Sequence, residues 1–132
     1  MRALGILLVF SLTSHVALAK PPLRDVAEID DALLAVGLAD DIRKNCPTIS
    51  ARMLKALSFV QGLQSRAQEL GYSEDEIKAY RSSTEEKARL RAEGDAWLSA
   101  NGVDKSAPET YCAAGQNEIK KQSQIGALLR VN

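Results

Sequence analysis

Apolar side chains recur at steps of three and four residues along most of the chain, which is the spacing of one face of an α-helix. The clearest stripe lies mid-chain and consists of Met53, Leu54, Leu57, Val60, Leu63, Ala67 and Leu70. No stretch alternates between apolar and polar residues as a half-buried strand does. The pattern therefore predicts an all-α fold, a small helical bundle of about five helices.

Turn and capping residues set the predicted bounds of these helices. Asn45-Cys46-Pro47, Gly71 and Asn101-Gly102 are typical helix ends. The predicted helices span about 25–44, 49–70, 73–80, 83–100 and 106–119, and a last short helix begins at Ser123. Four pairs have the spacing of a capping box, in which two residues satisfy each other's backbone N–H groups. The pairs are Asp25/Glu28, Ser73/Glu76, Ser83/Glu86 and Ser106/Glu109.

The first residues, MRALGILLVFSLTSHVALA, have the pattern of a secretory signal peptide. Arg2 precedes an apolar run that is shorter than the roughly 20 residues of a membrane-spanning helix. Ala17-Leu18-Ala19 forms an A-x-A cleavage site. We expect residues 1–19 to be a signal peptide and residues 20–132 to be a single helical domain, without a membrane span, in the periplasm or secreted.

Cys46 and Cys112 are the only cysteines of the sequence. In an exported protein two cysteines normally pair, because the compartment is oxidising. A redox-active pair is the alternative, but such pairs usually lie close together as C-x-x-C. The spacing therefore favours one structural disulfide, which joins the end of the first predicted helix to the fifth.

Charge and composition argue against several classes of function. The chain has 17 basic and 17 acidic residues with no long block of one sign, so the composition indicates neither nucleic acid nor an anionic membrane as a partner. The only histidine, His15, lies in the predicted signal peptide. The mature chain then lacks the commonest general base and zinc ligand. We expect no metal, no cofactor and no enzymatic activity.

Four phrases carry a resemblance to a family of small exported bacterial proteins of unassigned function. They are KPPLRDVAEIDDAL, NCPTISARMLKAL, LGYSEDEIKAY and ETYCAAGQNEIKKQSQIGALLR. The resemblance extends over nearly all of the expected mature chain and includes both cysteines. It implies an exported, all-helical domain with one disulfide and brings no catalytic residues with it.

Five residues are candidates for an interaction surface. Trp97 is a candidate anchor because its helix is otherwise strongly polar, and tryptophan is enriched at interfaces. The phrase SQIGALLR is the least explained by helix formation alone, which adds Ser123, Gln124, Gly126 and Arg130. A capped and packed terminal helix is the structural alternative for that phrase.

These observations favour a non-enzymatic periplasmic accessory or binding protein, whose partner is a protein or another envelope component. The alternative is a periplasmic holdase chaperone of the acid-stress type, because protonation of many carboxylates loosens a fold at low pH. A carboxylate-based cell-wall hydrolase is a third hypothesis, which requires two facing acids, one of them with a raised pKa. Adjacent acids such as Asp30/Asp31 are better explained by helix ends and solubility.

Overall fold

A computed structural model describes residues 19–132 and shows a bundle of five helices with one small sheet. Nearly all of the predicted signal peptide lies outside the described residues. The elements are α1 (Ala27–Asn45), β1 (Ile49–Ala51), α2 (Met53–Glu69), α3 (Glu74–Ser82), α4 (Thr84–Ala100), α5 (Pro108–Lys121) and β2 (Leu129–Val131). Short 3-10 helices precede α1 and β2, at Leu23–Asp25 and Gly126–Leu128. The predicted all-α bundle of about five helices with one disulfide is confirmed.

Two of the four predicted capping boxes have at least their Ser cap. At α3 the Ser73 side chain accepts a hydrogen bond from the Glu76 N–H, and the Glu76 carboxylate accepts one from the Ser73 N–H. At α4 Ser83 caps in the same way, but the Glu86 carboxylate turns to arginines instead. The two other boxes are wrong, because α1 and α5 begin without any side-chain cap.

A two-stranded antiparallel sheet replaces the predicted start of the second helix and follows the predicted last helix, which is a short 3-10 turn at Gly126–Leu128. Ile49 pairs with Val131, and Ala51 pairs with Leu129. The predicted start of a helix at Ile49 and the predicted absence of strands are therefore wrong. Each strand has three residues, so neither shows an alternation that a sequence pattern can reveal.

Helix α1 lies at the centre of the fold and packs against α2, α4 and α5. Its inward residues include Leu38 and Ile42, which are 2% and 0% exposed. They meet Leu98 of α4 and the short segment before β2 in one core cluster. A second cluster holds the other end of α1 and α2 against the start of α3.

The predicted disulfide is present and joins the C-terminal end of α1 to α5. The Cys46 and Cys112 Sγ atoms are 2.04 Å apart and their Cα atoms 5.1 Å apart. Gly115, one turn further along α5, lets this helix approach closely. A Cβ atom there would lie 2.6 Å from Ile49 Cδ1 and 2.7 Å from Ile42 Cγ2. The covalent bond and a tightly packed contact therefore fix the same two elements.

Candidate functional site

The structure brings three of the five candidate surface residues together. Trp97, Ser123 and Gln124 line a shallow cavity of about 200 Å³. Trp97 and Ser123 are half-buried, while Gln124 is exposed. The remaining wall is mostly apolar and belongs to α1: Asp31, Leu34, Ala35 and Leu38. The anchor residue and the C-terminal phrase thus meet, although they are far apart in the sequence.

Gly126 is buried, and its place in the fold is explained by packing. A Cβ atom at this position would lie 2.6 Å from the Ile119 backbone nitrogen and closer still to the Glu118 carbonyl group. Only glycine lets the chain cross the end of α5 at this distance. Ser123 contributes a cap here, because its Oγ accepts a hydrogen bond from the Gly126 N–H at 3.0 Å. Arg130, the fifth candidate, is exposed at a different cavity.

The predicted apolar stripe of α2 is only partly used by the core. Within α2, Ala67 is the one fully buried residue. Met53, Leu54 and Leu57, which belong to the predicted apolar stripe, are 65%, 85% and 57% exposed. The neighbouring Val131 of β2 is 53% exposed, and these four are the exposed large apolar residues of the part of the chain that the structure describes.

Three cations surround these apolar side chains. Arg52, Lys55 and Arg130 line a cavity of about 390 Å³. Its other lining residues are Ala51, Met53 and Leu54. Within residues 19–132 no carboxylate forms a salt bridge with any of the three cations. We name this region the apolar–cationic surface, comprising Arg52, Met53, Leu54, Lys55, Leu57, Arg130 and Val131.

The backbone holds the two halves of this surface together. Arg52 directly follows β1, and its N–H donates a 2.8 Å hydrogen bond to the Leu128 carbonyl just before β2. The β1–β2 pairing then places Arg130 opposite Ser50. The first turn of α2 and the last strand therefore form one continuous face, which sequence periodicity does not reveal.

The distribution of charge along the sequence contains a pattern that marks this surface. No acidic residue occurs between Asp41 and Glu69, or between Glu118 and Asn132. The overall neutrality of the chain therefore averages over a strongly uneven distribution. The sheet joins these two acid-free segments in space. Cations also lie at the N-terminal end of α2, where the helix dipole is positive and favours anions.

A second polar cluster lies partly buried between α1, α3, α4 and the 3-10 helix that precedes α1. The Arg89 guanidinium donates two hydrogen bonds to Asp30, from Nη2 at 2.6 Å and from Nη1 at 2.9 Å. It also donates from Nε to Glu86 at 2.9 Å, and from Nη2 to the Tyr80 hydroxyl at 3.0 Å. Tyr80 in turn donates to Asp30, and Arg24 donates to Glu86. We name Arg24, Asp30, Tyr80, Glu86 and Arg89 the buried ion network.

The network favours the charged form of both its carboxylates. Burial raises the pKa of Asp30, but hydrogen bonds from Arg89 and Tyr80 outweigh burial and leave that pKa below its ordinary value. Burial likewise raises the pKa of Glu86, and the hydrogen bonds from Arg89 and Arg24 reverse the direction. Burial and the Asp30 carboxylate raise the pKa of Tyr80. Every buried side-chain nitrogen and oxygen of the described residues has a hydrogen-bond partner, so the network is saturated.

Within residues 19–132 no three His, Cys, Asp or Glu side chains are grouped closely enough to hold a metal ion. No helix of the described part is both long and apolar enough to pass through a bilayer.

The model of a protein family described as "Family of unknown function (DUF5333)" matches residues 21–130. No curated protein and no solved structure matches the chain.

Proposed function

Because this chain belongs to a family of unknown function, DUF5333, we propose a function from its surface: a non-enzymatic accessory or binding protein of the cell envelope. In this proposal the protein is exported to the periplasm or secreted. It binds its partner through the apolar–cationic surface rather than through a catalytic centre.

One observation carries the proposal, namely large apolar side chains exposed next to cations that have no ion partner among the described residues. Exposed apolar patches that are rimmed by polar groups mark interaction sites. Arg52 and Lys55 also oppose the helix dipole, at about 0.3–1 kcal/mol for each charge near a helix end. The fold therefore retains side chains that do not stabilise it, and Leu54 is the clearest example at 85% exposure.

The disulfide supports the proposed location. Bonds of this kind persist in the periplasm and outside the cell and are rare in the cytoplasm. Cys46 is buried in the main core and Cys112 packs against it, which suits a structural bond. Fractionation of the producing cell tests the location: we expect the protein in the envelope fraction with both thiols oxidised, and a reduced protein in the cytoplasmic fraction contradicts it.

The buried ion network argues against the carboxylate-based hydrolase. A general acid of a glycosidase needs a carboxyl group whose pKa is raised, so that it keeps its proton near neutral pH. Asp30 and Glu86 have lowered pKa values, and both are bound by arginines. The contact of Asp30 with Arg89 connects α1 to α4.

Photo-crosslinking tests the binding function. A photoreactive amino acid at position 54 should capture its partner in the intact envelope, either as a discrete protein adduct or as a lipid adduct, because Leu54 projects from the surface. The same amino acid at position 87, an exposed residue of α4, is the control and should give none. Equal crosslinking at both positions, or none at position 54, contradicts the proposal.

The holdase chaperone is a second candidate, and the buried ion network favours it. Acid neutralises Asp30 and Glu86, which removes the partners of Arg89 and loosens α1 from α4. Apolar residues of the core then become available to unfolded clients. Aggregation of a client protein measured at about pH 2–3 and at pH 7 tests this candidate. Suppression of aggregation at the acid pH alone supports it, and no suppression at that pH removes it.

A further inference from the structure

We propose that the partner of the apolar–cationic surface is an anionic phospholipid bilayer, on which the protein docks through the first turns of α2. This inference rests on the proposed function, because it assigns a partner to the same surface. In this proposal the protein lies on the surface of the bilayer and does not cross it.

The shape of the surface suits shallow insertion into a bilayer. Met53, Leu54 and Leu57 lie on the first two turns of α2 and project into solvent, and Val131 extends the same face from β2. Proteins that lie on membranes bury such an apolar face into the boundary between headgroups and acyl chains. The four side chains need no cavity of matching form, since lipids adapt to them.

The charges of the surface suit anionic headgroups. Arg52, Lys55 and Arg130 flank the apolar side chains, and among the described residues no carboxylate neutralises them. Long cationic side chains reach toward the headgroups while their aliphatic parts stay in apolar surroundings. Each such cation near an anionic leaflet increases the partition coefficient about fivefold. Three cations together account for about a 100-fold preference over a zwitterionic surface.

The same charges argue against a second copy of this chain as the occupant. A twofold dimer brings the same patch of both copies together. Arg52, Lys55 and Arg130 would then face the identical residues of the other copy, with no carboxylate in the cavity lining to compensate. Like charges placed opposite each other across an interface oppose association.

A folded acidic protein is also a poorer fit than a bilayer. A stable protein interface buries about 800 Å² on each partner and usually has an aromatic anchor near its centre. The apolar–cationic surface offers four aliphatic or methionine side chains and no aromatic residue. Trp97 lies at a different cavity. Binding to a bilayer requires neither a large complementary interface nor an aromatic anchor.

Vesicle co-sedimentation with the full-length disulfide-bonded protein tests the inference. Vesicles of equal parts phosphatidylglycerol and phosphatidylcholine should bind the protein about 100-fold more strongly than pure phosphatidylcholine vesicles at low salt. Binding should weaken steeply as salt is added, because surface charges are screened. Equal binding to both kinds of vesicle, or none to either, overturns the inference.

Two variants and a matched control locate the binding. Arg52→Gln, Lys55→Gln and Arg130→Gln together should lower the partition coefficient about 100-fold. The double variant L54Q/L57Q should lower it about tenfold or more, since the inserted apolar surface is lost. The control removes three other exposed cations that lack salt bridges among the described residues, through the substitutions Lys78→Gln, Lys87→Gln and Arg91→Gln. A loss in the control equal to that of the first variant overturns the inference.

The outcomes separate this inference from the proposed function. If vesicles do not bind and the photoreactive residue at position 54 captures one envelope protein, the bilayer is wrong and the binding function stands. If sedimentation velocity shows a dimer that L54Q abolishes, a second copy occupies the surface and the inference falls. If neither vesicles nor crosslinking gives a result, both proposals fail. Circular dichroism of each variant checks that the fold is retained.

Discussion

Replacing Gly126 with alanine should destabilise the fold more than its single added methyl group suggests. The new Cβ atom would lie 2.6 Å from the Ile119 nitrogen and closer to the Glu118 carbonyl group, both of which are backbone atoms of α5. A rotamer change cannot relieve a clash between two backbones. The 3-10 turn must therefore move away from α5, and the chain on either side must move with it.

The structure sets the size of this effect. A normal contact with the Glu118 carbonyl group needs a shift of about 1.5 Å, and the shift draws Ile125, Leu128 and Leu129 away from the main core, where they are 7%, 2% and 2% exposed. Overpacking of a core typically costs about 1–3 kcal/mol. Because only backbone atoms oppose the methyl group, we expect a loss at the upper end, about 3 kcal/mol. This corresponds to a fall in the melting temperature of roughly 10 °C.

Urea denaturation followed by far-ultraviolet circular dichroism measures the free energy of unfolding. Gly62→Ala is the matched control, because a Cβ atom at that exposed position of α2 meets nothing within 4 Å. It should stabilise the protein by about 0.5–1 kcal/mol through helix propensity. A Gly126→Ala variant within about 0.5 kcal/mol of the parent protein refutes the close approach of the two backbones.

Three further predictions concern the disulfide and the buried ion network. Reduction of the Cys46–Cys112 bond should lower the free energy of unfolding by about 4 kcal/mol, because the bond closes a loop with a separation of 66 residues; urea titrations with and without reductant measure this, and equal midpoints contradict it. Arg89→Met should lower the free energy of unfolding by about 2–3 kcal/mol, because it leaves Asp30 and Glu86 without their main partner. The loss is smaller than for a fully buried pair, since the Arg89 side chain keeps 24% exposure. An unchanged melting temperature contradicts this prediction. The folded-state pKa values of Asp30 and Glu86 are lowered, so the stability that these two carboxylates give the fold is present above about pH 4 and is lost as the pH falls through the folded values. Urea midpoints measured from pH 7 to pH 2 should therefore decline only in the acid range. A midpoint that stays constant contradicts the role of the network.

Local chemistry explains the parts of the fold that the sequence predicted. The Ser73/Glu76 box forms because both partners lie within one helical turn and need no other element. The pairing of Cys46 with Cys112 followed from there being only two cysteines in a chain with a predicted export leader. Similar reasoning failed at Ser106, whose N–H and hydroxyl donate to Asp104 instead.

Contacts between distant residues explain what the sequence did not predict. Asp30 and Arg89 meet across 59 positions, and neither lies in a periodic pattern that singles it out. The strands β1 and β2 are too short for alternation to show. The stripe of α2 predicted an apolar face but did not predict which residues of that face are buried, because the neighbouring elements pack against only part of that helix. Met53, Leu54 and Leu57 therefore belong to the predicted stripe but lie outside the core, and they form part of the apolar–cationic surface.

The bond between Cys46 and Cys112 also divides the chain into a ring and two arms. Residues 47–111, with α2, α3 and α4, lie inside the ring, while α1 and β2 belong to the arms. A protease that cuts one peptide bond within the ring leaves both fragments covalently joined. The two fragments of such a molecule stay together until a reductant breaks the disulfide. After a cut in either arm, packing alone holds the severed end on the rest of the protein.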